Sequence, residues 1–120
     1  MVSRVAVVDD DESVRESLPD LLRSFGLDVD AFSSAEAFLA SDSLPLTQCL
    51  ILDVAMPGMT GPELHAQLAR QQREIPVIFI TAHLDDRMRS RALKRGAVDC
   101  LAKPFSEDAL LKAVHQALGG

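Results

Sequence analysis

Cys49-Leu50-Ile51-Leu52-Asp53-Val54-Ala55-Met56-Pro57-Gly58 is the stretch around which the chain is organised. Cys49 to Leu52 form a short apolar run with branched side chains, the signature of a buried strand. The run ends on one carboxylate, Asp53, and a Met-Pro-Gly turn follows at once. A strand of this kind points its last side chain out of the carboxyl edge of a sheet. Open α/β folds hold their ligands at that edge. In that position Asp53 reads as a phosphoryl acceptor.

Outward from this strand, apolar runs alternate with helical patterns five times, which predicts a parallel sheet with crossover helices. The first strand is Arg4 to Val8, and it runs into Asp9-Asp10-Asp11-Glu12. A helix follows, with Val14, Leu18, Leu21, Leu22 and Phe25 at helical spacing and Gly26 as its stop. Pro19 conflicts with that pattern. It removes an amide donor and is expected to cost about 3 kcal/mol or to kink the helix. A second strand spans Asp28 to Phe32. Ser33 or Ser34 caps a helix that buries Phe38 and Leu39, and Asp42 to Thr47 reads as a polar loop.

Beyond the central strand, Pro62 suits the first turn of a helix carrying Leu64 and Leu68. The fourth strand is Val77 to Ile80 and ends at Thr81. The fourth helix, Asp86 to Arg95, carries Arg87, Arg89, Arg91, Lys94 and Arg95. The fifth strand, Asp99 to Ala102, ends at Lys103-Pro104. A last helix from Ser106 to Leu118 buries Leu110, Leu111, Val114 and Leu118. His65 and His115 read as surface residues on their helices. The chain, 1–120, is read as one domain, with no repeat or linker.

The bulk composition excludes several function classes. Of the 120 residues, 48% are hydrophobic and 25% charged, which suits a folded globular chain. No apolar run approaches the roughly 20 residues of a membrane span, and Met1-Val2-Ser3-Arg4 begins no signal peptide, so a cytosolic location and no membrane partner are expected. A net charge of −6 argues against direct contact with nucleic acid. Without Trp or Tyr there is little to stack bases on. Cys49 and Cys100 read as reduced, buried thiols.

Four strands therefore end on polar residues: Asp9 and Asp10, Asp53, Thr81 and Lys103. Three carboxylates at one edge repel one another, and their natural occupant is a hard cation. Mg²⁺ fits, since it takes oxygen ligands and keeps several waters. Asp53 with Asp9 and Asp10 would hold it, and the Ala55 carbonyl could add a ligand. A phosphoryl group could then approach, because its transfer requires mainly positioning and charge neutralisation. The Lys103 ammonium, the Thr81 hydroxyl and backbone amides after the strands, such as that of Ala82, would meet its oxygens. Asp53 would supply the attacking oxygen and become an acyl phosphate. Asp11 and Glu12 read as helix-capping residues rather than ligands.

The chain resembles a response-regulator receiver domain of two-component signalling. The resemblance rests on Val7-Val8-Asp9-Asp10-Asp11, on Leu52 through Gly61, on Ile80-Thr81-Ala82-His83, and on Gly96-Ala97-Val98-Asp99 running to Lys103-Pro104-Phe105. These occur in family order across essentially the whole chain. Ser34 to Leu39 and the Thr-Ala-His segment are most similar to the FixJ-like branch, whose members are usually fused to a helix-turn-helix output domain. The resemblance implies a flavodoxin-like (CheY-like) sheet of order 2-1-3-4-5 with five helices. It implies that Asp53 takes phosphate from a sensor histidine kinase, with Mg²⁺ on Asp9, Asp10, Asp53 and the Ala55 carbonyl. Thr81 becomes the switch hydroxyl and Lys103 the phosphoryl-binding cation, with a cis Lys103–Pro104 bond. The basic fourth helix and fifth strand would form a partner or homodimer surface. His83, two residues past Thr81, is either a modulator of acyl-phosphate hydrolysis or an exposed loop histidine.

One departure stands out. Three residues before Lys103 the family usually carries Tyr or Phe, and here the residue is Cys100. No ring can swing inward there, so either a smaller rearrangement carries the signal or coupling is weak. The implied strand order also separates Cys49 from Cys100 by roughly 9–10 Å, beyond disulfide reach.

Three other functions compete. A flavin carrier of the same fold needs a Ser/Thr/Gly-rich loop after strand one, where this chain has Asp-Asp-Asp-Glu. A phosphatase with an Asp nucleophile would want a second acid two residues after Asp53, where Ala55 stands. A pseudo-receiver that only binds a partner is opposed by the intact acid–hydroxyl–lysine set, although Cys100 favours it. The chain ends at Gly119-Gly120, and an output domain following in a longer regulator is the expectation.

Overall fold

A computed structural model describes residues Val2–Gly119; Met1 and Gly120, and with them the extreme ends read above, lie outside the described residues. The elements run β1 Arg4–Val8, α1 Glu12–Ser24, β2 Asp28–Phe32, α2 Ala35–Leu39, β3 Cys49–Asp53, α3 Gly61–Arg70, β4 Val77–Thr81, α4 Asp86–Lys94, β5 Asp99–Ala102 and α5 Glu107–Ala117. The strands form one parallel sheet in the order β2-β1-β3-β4-β5. This is the order that the family resemblance implies.

β3 and β4 are buried at every position, as central strands covered on both faces must be. Period-2 alternation divides their side chains between two cores. Leu50, Leu52 and Phe79 face one layer with Phe38, Leu64 and Leu68 from α2 and α3. Cys49, Ile51, Ile78 and Ile80 face the other, with Leu18 and Leu22 of α1 and Leu110 and Val114 of α5. The two cysteines lie in opposite layers, both buried and unbonded.

Local chemistry starts each helix. Asp11, Ser34, Asp85 and Ser106 each accept an amide hydrogen bond as N-caps. Thr60 and Glu63 form a reciprocal capping box before α3. Each cap contributes about 1 kcal/mol. Pro19 does not break α1, which continues unbroken to Ser24 with the proline ring in the buried face. Burial of the ring offsets the missing amide bond.

Several packing expectations are corrected. Phe25 is the C-cap of α1 and is 40% exposed, because the helix ends before its apolar stripe reaches that position. Leu39 at the end of α2, Leu111 within α5 and Leu118 at its C-cap are only half-buried. The stretch 42–47 is not simply polar loop: Leu44–Leu46 make a 3-10 turn that buries Leu44. His65 is half-buried rather than on the surface, its ring edge-on to Phe79 with centroids 5.5 Å apart. Among the described residues no helix is long and apolar enough to cross a membrane.

Gly61 ties α3 to the end of β3. Its amide donates to the Val54 carbonyl at 3.0 Å, and a Cβ there would collide with the Asp53 carbonyl oxygen and sit 3.1 Å from the Val54 Cα. Gly26 is different: its φ is +85° but the space around it is open. In urea denaturation, Gly61→Ala is expected to lose about 1–3 kcal/mol through overpacking against backbone. Gly26→Ala is expected to lose about 1–2 kcal/mol from the left-handed conformation alone. Only the first should also disturb the resonances of Asp53.

Candidate functional site

The register fixes which strand ends meet. Val8 pairs with Leu52, Asp53 with Ile80, and Thr81 with Ala102. Asp9, Asp53, Thr81 and Lys103 therefore leave the sheet within about one residue of the same level. The Lys103 amide donates to the Thr81 carbonyl at 2.8 Å, which extends the ladder to the edge. The Lys103–Pro104 peptide is cis.

Carboxylate oxygens of Asp9, Asp10 and Asp53 all lie within 4.8 Å of one another. Asp9 is fully buried, Asp53 is 5% exposed, and Asp10 is open to solvent. The Asp11 amide donates to Asp9 Oδ1 at 2.9 Å, and the Arg15 guanidinium donates to the Asp9 carbonyl at 3.0 Å. Asp9 Oδ2 receives no well-directed hydrogen bond. The Lys103 ammonium stands 2.8 Å from it and 3.6 Å from Asp53 Oδ1. Lys103 thus pairs with two of the three acids, and a buried oxygen has unused acceptor capacity. This donor set, all oxygen and excess negative charge, fits a hard divalent ion.

The electrostatics follow from that shortage of positive charge. Burial first, then the neighbouring Asp9 charge, push the Asp53 carboxyl up to about 6; Lys103 opposes the shift and Asp10 adds to it. Burial works against the Lys103 ammonium, but the Asp9 carboxylate against it and the charge of Asp53 outweigh burial and raise its pKa. Asp11 is held below the usual carboxylate range by hydrogen bonds from Ser13, in keeping with its role as a cap.

On the far side of Asp53, Thr81 is buried and its Oγ1 accepts from the His83 amide at 3.2 Å. Ala82 and His83 are exposed just beyond it, and Ala55 is exposed two residues past Asp53. Cys100 lies beside Phe79 in the β4–β5 register and is fully buried, which pushes its thiol upward. One supporting residue escaped the sequence reading. The Glu36 carboxylate of α2 accepts from the Met59 amide at 3.3 Å and so tethers the turn that follows Asp53. Glu36 and Met59 are 23 positions apart, and no local pattern joins them.

The response regulator receiver domain family matches residues 5–115. The chain belongs to that family. Nodulation protein W of Bradyrhizobium diazoefficiens is 52% identical over 110 residues, covering 92% of this chain and 48% of that protein. Response regulator protein TodT of Pseudomonas putida is 47% identical over 116 residues, covering 97% of this chain and 51% of TodT. The receiver domain thus spans about half the length of these relatives. Among solved structures, that of the response regulator StyR superposes with a TM-score of 0.90 at 50% identity, over 99% of this chain and 60% of that one. The FixJ-N crystal structure gives 0.87 at 40% identity, over 99% and 95%. The FixJ-like resemblance read from Ser34 to Leu39 and Thr81 to His83 is supported by these neighbours.

The raised pKa of Asp53 has a stability signature. The folded protein holds this proton more tightly than the unfolded chain, whose carboxyl titrates near 3.8. The resulting stabilisation is complete below about pH 4 and is lost as pH rises through about 6. Asp53→Asn cannot ionise and escapes that loss. In EDTA, its urea midpoint is expected to exceed that of the wild type at pH 7.5, with the gap narrowing toward pH 4.

Proposed function

We propose that this receiver domain accepts a phosphoryl group on Asp53 from the phosphohistidine of a sensor histidine kinase, with Mg²⁺ as the cofactor. The observation that carries the reading is the meeting of three carboxylates within 4.8 Å at one sheet edge, with a single lysine 2.8 Å from one and 3.6 Å from another. A site built only for stability would not gather buried like charges that way.

Asp9, Asp10 and Asp53, with the Ala55 carbonyl, are the residues we assign to the metal. A bound Mg²⁺ supplies positive charge that draws the phosphoryl oxygens toward the carboxylates. The remaining steps belong to this chain. Asp53 is predominantly ionised at pH 7 and above and attacks phosphorus through a carboxylate oxygen. The P–N bond of the donor breaks as the P–O bond forms, and the imidazole leaves with its electron pair. Lys103 neutralises one equatorial oxygen of the group in transit. The Thr81 hydroxyl accepts from the His83 amide and so keeps its own proton free to donate to a second. The Ala82 amide serves the third. The domain is a signalling element whose chemistry is confined to gaining and losing its own phosphoryl group. His83, exposed beside Thr81, is the residue we assign to tuning hydrolysis. The output, in this reading, is a helix-turn-helix transcription domain in the full-length regulator, within the cytoplasm. The exposed cations of α4, with β5, offer a partner or homodimer face.

Incubation with phosphoramidate or acetyl phosphate and Mg²⁺ is expected to add one phosphoryl group by intact mass. Asp53→Asn and EDTA should each abolish the gain. No gain in the wild-type protein would instead make the chain a pseudo-receiver that only binds partners. Lys103→Gln should slow phosphorylation on the order of 10²-fold, since it removes one preorganised charge from the transferring group. A lysine acting only in packing would leave that rate unchanged.

A further inference from the structure

A cavity of about 160 Å³ lies beneath α4, on the face of the sheet shared with α2 and α3. Its floor is Val54, Phe79 and Cys100, and Met88 and Ala92 of α4 form its roof. Two small side chains, Cys100 and Ala92, leave the space that larger ones would fill. α4 contributes no fully buried residue, unlike α1, α2, α3 and α5. The helix therefore bridges the cavity rather than filling it. An apolar protein cavity of about 150 Å³ is large enough to take up benzene.

The cavity is not wholly apolar. Arg91 and Arg95 line it, and among the described residues neither makes an ion pair. Their neighbour Arg89 is different, bound to Asp99 at 2.7 Å. The third polar lining group, His65, is stacked edge-on to Phe79. Burial first, and the charge of Arg95 second, hold its pKa below the ordinary value. An occupant that used the whole lining would meet an apolar interior and two guanidinium groups exposed at its rim. Guanidinium pairs in a planar fork with carboxylate.

We infer that the cavity beneath α4 binds a small monocyclic aromatic carboxylate, with its ring among Val54, Phe79, Cys100 and Ala92 and its carboxylate at Arg91 and Arg95. Benzoate is the simplest member of that class. A neutral ring would make no use of the two rim cations, and a bare carboxylate would leave the apolar interior empty. The site is separate from the acidic cluster and does not depend on phosphoryl transfer.

The test is an amide-resonance titration of the 120-residue chain with sodium benzoate, set beside benzene and sodium acetate. Benzoate should give saturable shifts centred on Phe79, Ala92 and Cys100, with a Kd of about 1 mM or tighter for a ligand of this size. Benzene and acetate should each bind at least about tenfold more weakly. The doubly substituted Arg91→Gln/Arg95→Gln protein, altered only at exposed positions, should lose at least about tenfold in benzoate affinity while keeping its weak benzene binding. Cys100→Phe, which fills the space with a ring of its own, should abolish saturable benzoate shifts. The inference is overturned if benzoate shifts do not saturate, if benzene binds as well as benzoate, or if the Arg variant retains full benzoate affinity.

Discussion

Repulsion among Asp9, Asp10 and Asp53 is the constraint on which the rest of the structure turns. Three carboxylates within 4.8 Å oppose folding, and one ammonium does not cancel them. The chain, already at −6 overall, has no surplus of positive charge to spread over the site. What holds the acids together is the sheet. Their Cα positions are set by the β1–β3 register, which is fixed by the apolar alternation of fully buried strands. Slipping that register would turn Leu50 and Leu52 out of one core and Cys49 and Ile51 out of the other. The hydrophobic term is large enough to hold the carboxylates in place against their own charge. Asp9 shows how thin the local compensation is, with one amide on Oδ1 and the Lys103 contact at Oδ2.

This division of labour explains what could be read in advance. Strand ends are local events: an apolar run, then Asp9, Asp53, Thr81 or Lys103. Parallel topology collects those ends at one edge whatever the loops do. The architecture and the meeting of the acids with Lys103 were legible for that reason. Helix caps were legible for the same reason, since Asp11, Ser34 and Ser106 act within three residues. Contacts that depend on two distant elements left no such trace. Glu36 reaching the Met59 amide is one example. His65 is another: on the pattern of α3 alone it falls beside the apolar stripe, and only the approach of β4 turns it into a partner of Phe79. Phe25 failed in the opposite sense, since helical spacing continues past the point where the chain turns away at Gly26, φ +85°.

The two faces of the sheet are not packed alike. On the α1/α5 face, Leu18, Leu22, Leu110 and Val114 are each at most 4% exposed. On the other face α3 seats Leu64 and Leu68, but α4 lies over a cavity and leaves Leu93 43% exposed. Cys100 is central to that difference. A thiol at this β5 position removes the bulk that would support Ala92 and Met88 from below. Of the α4 cations, Arg91 and Arg95 are exposed at the rim of the cavity, and Arg89 is anchored to the sheet through Asp99. Local stability follows buried apolar contact, so α4 is the main helix with least to lose on moving.

That weakness is placed where it can matter. β4 ends on Thr81, the His83 amide is bound to the Thr81 hydroxyl, and Asp85 caps α4 two residues later. A turn of Thr81 toward a group on Asp53 would strain the bond to His83 and pass directly into the start of a loosely seated helix. A ring at position 100 would give such a movement a single large side chain to reposition. With Cys100 there, no such ring is present, and α4 is held at its middle by Arg89–Asp99 and at its start by the Asp85 cap. Under the proposed function, a phosphoryl signal leaving Thr81 would meet its first loosely packed element in α4, with Cys100 beneath it where the family usually has a ring.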